Sequence, residues 1–169
     1  MKLKCTIVAL VLWISATAGV YAEFGIGIQG NVGFAGGGPS LLLSPSDRLH
    51  FALDWYIPIN ETSSDILFNI AIDMWALDVT LLQAGPGELK LFVGPGFFVR
   101  TGYLKTDDEY RDGFNLAGGL RIPVGIHYRI QGFDPFLVVA PAWDIKILPK
   151  TRFSDWLGFS GALGIRFWI

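Results

Sequence analysis

Two histidines, His50 and His127, open the inventory of residues that could do chemistry, and the only cysteine is Cys5. A serine nucleophile needs a base within reach to take its proton. Two residues after His127 stands Arg129, and two residues after His50 stands Ala52, so neither histidine sits in a His-x-Ser pair. Neither has a second His or Cys at metal-ligand spacing. The glycine pairs such as Gly25-x-Gly27 lack the lysine and following helix of a phosphate loop. The expectation is no catalytic site, no metal site and no cofactor. The charged residues remain: Asp54, Asp73, Asp78, Lys90, Arg100, Arg121, His127, Arg129, Asp144, Lys146 and Arg166. All of them share one property. Each falls on the polar parity of an alternating segment, and none falls on the apolar parity.

The segments that must position these residues read in steps of two, the period of a β-strand. Phe114 to Arg129 shows it well. Phe114, Leu116, Gly118, Leu120, Ile122, Val124, Ile126 and Tyr128 oppose Asn115, Ala117, Gly119, Arg121, Pro123, Gly125, His127 and Arg129. Seven further segments alternate in the same way: 24–34, 39–44, 49–59, 65–83, 89–103, 137–147 and 157–169. In 65–83 the apolar parity flips near Met74 and Trp75, as a β-bulge would make it do. Pro95, Pro123 and Pro141 fall inside segments, where a missing N–H interrupts a ladder, and a local bulge is expected at each. The breaks between segments are AGGG (35–38), SPSD (44–47), NETSS (60–64), GPG (85–87), LKTDDEYRDG (104–113), IQGFD (130–134) and LPKTRFSD (148–155). The second, fourth and sixth are tight turns, and the third, fifth and seventh are longer. Short turns on one side and longer loops on the other describe an up-and-down barrel.

Composition sets the surroundings. The chain has 169 residues, 51% hydrophobic and 17% charged, with a mean hydropathy of +0.45. Soluble domains average about 25% charged. After the first 22 residues no apolar run approaches the roughly 20 residues that a membrane helix needs. The start, MKLKCTIVALVLWISATAGVYA, reads as a signal peptide over residues 1–22, with Lys2 and Lys4, an apolar run from Thr6 to Ala18 and a small-residue site at Val20-Tyr21-Ala22. Its removal leaves 11 basic and 15 acidic residues, a net charge of −4, and no thiol. No basic patch stands out, which argues against nucleic acid as a partner.

Either face of an alternating barrel can point inward, since soluble barrels bury their apolar side. Here the polar parity is rich in Gly and Ala as well as charge. That combination suits a narrow interior, where about eight strands leave just enough room for side chains and buried charges need partners. On the apolar parity Phe24, Phe34, Trp55, Tyr103, Phe114, Tyr128 and Phe167 lie near strand ends, the placement of an aromatic girdle at a membrane interface. The expectation is all-β: an eight-stranded antiparallel up-and-down transmembrane β-barrel over residues 23–169, with a lumen filled by a charge network.

The chain ends in GALGIRFWI, with Leu163, Ile165, Phe167 and Ile169 on the apolar parity. This resembles the C-terminal assembly signal of bacterial outer-membrane proteins, although the last residue is Ile169 rather than an aromatic. With the signal peptide and eight strands, the pattern is similar to the small outer-membrane barrels of the OmpA-barrel, OmpX and OmpW type. The resemblance implies outer-membrane lipid and the outer-membrane assembly machinery as partners. Some barrels of this kind modify lipid A, and the absent His-x-Ser pair argues against that activity. The loop carrying Asp107, Asp108, Glu109, Tyr110 and Asp112 is a candidate surface for an extracellular protein partner. The leading expectation is a structural or surface-interaction role. The alternatives are a narrow channel for small, apolar molecules, which resemblance to the OmpW type would imply, and a secreted soluble binding barrel.

Overall fold

A computed structural model describes residues 23–33, 36–57, 66–104, 113–148, 152–153 and 157–169. The signal segment 1–22, Phe34, and the loop residues Asp107, Asp108, Glu109, Tyr110 and Asp112 lie outside them, as does the side chain of Tyr103.

The alternating segments become the staves of a closed antiparallel barrel. In chain order they are β1 (Gly25–Gly33), β2 (Gly36–Ser44), β3 (Leu49–Tyr56), β4 with β5 (Ile66–Met74, Leu77–Ala84), β6 with β7 (Gly87–Val93, Gly96–Leu104), β8 with β9 (Gly113–Arg121, Val124–Arg129), β10 (Phe133–Leu148) and, after a two-residue strand β11 (Arg152–Phe153), β12 (Gly158–Trp168). The short β11 pairs with β10. Each stave pairs with the next, and β12 pairs back to β1 from Gly25↔Trp168 to Gly33↔Ser160. Closure leaves no sheet edge with unpaired backbone groups. The three short connections and both ends of the barrel share one rim, where Ile169 N–H donates to the Phe24 carbonyl at 2.8 Å.

Two boundaries differ most from the sequence reading, and β11 falls inside the break LPKTRFSD (148–155). That reading has AGGG separate two strands, yet β2 begins at Gly36 and pairs with β1 as far as Gly33↔Gly36. Glycine weakens a strand but does not forbid one, and the neighbouring ladder carries the segment. The same reading runs the turn IQGFD through Asp134. Instead β10 starts at Phe133, so Asp134 is a stave residue.

The facing is settled by exposure. Leu120 and Leu163 on the apolar parity are 68% and 66% exposed, while Asp134 and Phe92 on the other parity are at 0%. The barrel is inside-out relative to a soluble one: apolar side chains cover the outer wall and polar ones fill the lumen.

Pro95, Pro123 and Pro141 share a seam. The fourth, fifth and sixth staves are interrupted at Trp75–Ala76, Gly94–Pro95 and Ile122–Pro123. The seam reaches β10 at Pro141, between the stretch that pairs β9 (ending at Val139↔Val124) and the stretch that pairs β8 (starting at Ala142↔Arg121). Proline cannot donate, but its carbonyl accepts. Met74 N–H donates to Pro95 O at 2.9 Å, Gly94 N–H to Pro123 O at 3.2 Å, and Ile122 N–H to Pro141 O at 3.0 Å. The bulges expected at Pro95, Pro123 and Pro141 do not form: the register among the fifth to eighth staves is the same on both sides of each proline, and at Pro123 a two-residue interruption leaves the facing unchanged, with Ile122 and Val124 both exposed. At Trp75–Ala76 the facing does flip: Ala76 and Leu77 both point outward, and Asp78 turns inward again. The slip separates the inward residues Trp75 and Asp78 by three positions instead of two. One extra residue rise, roughly 3.3 Å, is thereby left for the indole.

Glycine makes that packing feasible at two places. A Cβ on Gly125 would lie 2.4 Å from the Phe92 ring, and one on Gly164 would lie 2.5 Å from the Phe136 ring. On the outer wall, a Cβ on Gly30 would meet nothing within 4 Å. Gly125→Val and Gly164→Val should therefore each destabilise the barrel by about 1–3 kcal/mol, the usual cost of overpacking. Gly30→Val should leave stability unchanged or raise it. Urea unfolding midpoints in detergent or lipid would show the split.

Candidate functional site

The lumen is where the sequence places its charges, and alternation brings them there from every stave after the second. The geometry resolves them into layers. Toward the rim with the longer connections, Asp54 accepts from Asn69 Nδ2 at 2.6 Å and from Gln29 Nε2 at 3.3 Å. Arg121 forms a two-pronged ion pair with Asp73 through Nε and Nη2. Arg100 Nη2 donates to Asp144 Oδ2 at 2.8 Å. Lys146 follows Asp144 on the same inward parity of β10.

Toward the short-turn rim a second cluster forms around Arg166 and Asp134. Arg166 Nη2 donates to Asp134 Oδ2 at 2.6 Å, and both side chains are almost fully buried. The other prong, Nη1, donates to His50 Nδ1 at 2.6 Å. The guanidinium lies over the rings of Trp75, Phe136 and Trp168, with centroid distances of 4.3, 5.1 and 5.1 Å. Trp168 donates its indole N–H to the same Asp134 oxygen at 3.1 Å. His127 sits between two carboxylates, with Nδ1 at 2.9 Å from Asp134 and Nε2 at 3.0 Å from Asp78. The ring thus ties the seventh stave to the fourth through its two nitrogens. Lys90 lies 3.9 Å from Asp78 and 3.4 Å from Glu88. Arg129 pairs with Glu23 at the mouth and lies 4.8 Å over the Trp168 ring.

Between the two clusters the lumen is apolar. Trp75 stacks on Phe92 with centroids 3.5 Å apart and planes 9° from parallel. Phe136 meets Trp75 edge-on at 6.5 Å. Phe136 also packs with Leu42, Ala52, Ala71 and Phe98. This layer is the main feature that the sequence reading misses. That reading assigns the filling to charge and lets the small residues make room for charged groups. Gly125 and Gly164 instead clear space for Phe92 and Phe136. The signal is present in the sequence: Phe92, Phe98 and Phe136 occupy the polar parity, between residues counted on the apolar one. Asp134 escapes the reading because its neighbours have turn composition. His50 is absent from the charged residues named from the sequence, and the structure joins it to that network through Arg166.

Ser44 and His50 make one arrangement that resembles a nucleophile with its base, with Ser44 Oγ 2.8 Å from His50 Nδ1. The geometry does not serve catalysis. His50 Nε2 lies 3.1 Å from the Asp47 carbonyl and must donate there. Nδ1 is then the acceptor, and it is shared with the Arg166 guanidinium. Ser44 is fully buried, so a substrate has no approach to it.

On the outer wall, Phe24 and Phe167 lie exposed at the short-turn rim, and Trp55 and Phe114 lie exposed at the other. Tyr128 is half-buried, and its hydroxyl donates to the Ala84 carbonyl. Phe133 beside Phe167 (5.4 Å) and Phe68 beside Trp55 (5.5 Å) add two rings that the sequence reading leaves out. Leu163, Phe167 and Ile169 project outward from the last stave, and Ile165 is half-buried on the same side.

Removing one member of a buried ion pair strands the other charge, typically at a cost of about 3–5 kcal/mol. Arg166→Met and Asp134→Leu should each lose stability on that scale, and the double variant Arg166→Met with Asp134→Leu should lose less than the sum. A double-mutant cycle on unfolding free energies would measure the difference.

Comparison with known proteins agrees with this architecture. No family model matches the chain. Outer membrane porin G of Escherichia coli (strain K12) is 31% identical over 103 residues, which cover 54% of this chain and 33% of that protein. The chain thus spans about a third of the length of the curated relative that it matches. Among solved structures, the N-terminal β-barrel domain of Pseudomonas aeruginosa OprF aligns with a TM-score of 0.50 at 16% identity, covering 88% of this chain and 98% of that one. A major outer membrane protein from Thermus thermophilus aligns with a TM-score of 0.45 at 11% identity, over 87% of this chain and 98% of that one. Neisserial surface protein A aligns with a TM-score of 0.39 at 16% identity, over 86% and 94%. The closed eight-stave antiparallel barrel, with its apolar wall outward, is the fold of the bacterial outer-membrane β-barrels.

Proposed function

We infer that this protein is an integral outer-membrane barrel with a closed lumen, not an enzyme, and that its role is structural or surface-interactive. The observation that carries the reading is the filling of the interior. Ion pairs and rings from the third to the eighth staves meet across it, and Ala71, Phe92 and Asp134 have no solvent exposure. The outward face supports a lipid surrounding, since a wall with Leu120, Leu163 and Phe167 exposed is suited to hydrocarbon and not to water. The exposed rings near the two rims fit the headgroup levels. The outward residues Leu163, Ile165, Phe167 and Ile169 fit recognition by the outer-membrane assembly machinery. The longer connections, including the acidic segment with Asp107, Asp108, Glu109, Tyr110 and Asp112, are the surface available to an extracellular protein partner.

The likeness in sequence to outer membrane porin G favours the second reading, a narrow channel. The filled lumen weighs against it, because a conducting path needs a continuous polar bore.

Planar-bilayer recording separates the two. The purified, refolded protein should show no reproducible single-channel steps, and regular steps would end the closed-lumen reading. The membrane reading has its own tests. Carbonate washing without detergent should leave the protein with the membrane, and unboiled samples should migrate differently from boiled ones. Leu163→Arg on the outer wall should cost about 2–4 kcal/mol if that position lies at mid-bilayer, measured by unfolding in lipid vesicles.

A further inference from the structure

The lumen is closed along its length by layers of different chemistry, and their exposures differ. At one end Arg100 and Asp144 are 24% and 28% exposed. At the other end Lys90 and Asp78 are 21% and 19% exposed. Charged side chains toward both rims are therefore partly exposed to solvent. In the layer between, Phe92 and Ala71 are at 0%. The ion pairs are poor barriers in themselves, since carboxylates and guanidinium groups hold water readily. A layer of rings and alkyl groups offers water no partners, and hydrophobic constrictions of this kind exclude it.

Within that layer Trp75 and Phe92 have a special place. They stack at 3.5 Å, and the Trp75 ring centroid lies 4.0 Å from that of His50 and 5.1 Å from that of His127. The indole thus reaches toward histidines held on the third and sixth staves, with Arg166 of the eighth against its face. The Trp75 backbone stands in the interruption of the fourth stave, and its backbone N–H donates to the Arg48 carbonyl of the first short turn at 2.8 Å. The stave breaks its ladder and flips its facing where this one ring must fit.

We propose that the Trp75–Phe92 stack is the permeability seal of the lumen, and that without it the two polar chambers join into a water-filled path for small inorganic ions. This rests on the closed-lumen reading. Arg166 and Asp134 are buried because the rings cover them, and they are not the barrier.

The test records potassium chloride currents through four proteins in planar bilayers: the unaltered protein, Trp75→Ala with Phe92→Ala, Phe92→Ala alone, and Arg166→Gln with Asp134→Asn. Boiled and unboiled gel mobility confirms that each barrel has assembled. The expected result is silence from the unaltered protein and from the charge-altered one, with steps from the double ring variant and smaller steps from Phe92→Ala. Phe92→Ala keeps the indole in place and serves if the double variant fails to assemble. An assembled ring variant that stays silent overturns the proposal while leaving the closed-lumen reading intact. Steps from the charge-altered protein also overturn it, because the barrier would then be the ion pair. Steps from the unaltered protein overturn the closed-lumen reading itself.

Discussion

Closing eight strands on themselves fixes a narrow interior, and the rest of the molecule answers to what that interior must hold. The lumen is too small for a bulk aqueous bore and too wide to be left empty, so side chains fill it. Charges alone cannot fill it well. Each buried ion needs a partner placed to bond it, and each partner has to come from another stave. Arg166 shows how the requirement is met. One guanidinium satisfies Asp134 on the neighbouring stave and His50 across the lumen, and it lies against three aromatic faces. The rings supply volume without asking for hydrogen bonds. They also exclude the water that would otherwise weaken the ion pairs beside them.

The same requirement shapes the wall. A large ring inside needs the absence of a side chain beside it, and this is why Phe92 and Phe136 lie over Gly125 and Gly164. It also needs height along the stave, which the facing flip at Trp75–Ala76 provides. The proline seam is the backbone counterpart. A closed barrel has no edge on which to place a proline, and Pro95, Pro123 and Pro141 sit at or beside the places where the ladder is interrupted. Their carbonyls still accept, and the wall stays bonded across the seam.

Polar residues that could suggest chemistry are absorbed by this filling. Ser44 and His50 stand at hydrogen-bonding distance, but the imidazole lone pair is shared with Arg166 and both residues are buried. His127 is held between two carboxylates on different staves. Among the described residues, most polar lumen groups brought together here are spent on one another, while Arg166 Nε and Asn31 Oδ1 stay buried without a hydrogen-bond partner.

The alternation by itself determined the number of staves, the apolar and polar parities, the placing of the strand charges on one face and the facing flip near Trp75. These follow from the two-residue period of a strand, which is local and visible along the chain. What lies inside was legible only in part. Charge on the polar parity could be read as filling because an ion in a narrow barrel has nowhere else to go. Phe92, Phe98 and Phe136 occupied that parity just as plainly, but a ring carries no mark that separates a lumen plug from an ordinary core residue. Asp134 was hidden by the turn composition around it. Which acid meets which base, that Arg166 spans the lumen to His50, and that Trp75 stacks on Phe92 were decided by the tertiary structure alone. Those partners stand on different staves, and their meeting depends on the closure and stagger of the whole barrel, which no local period encodes.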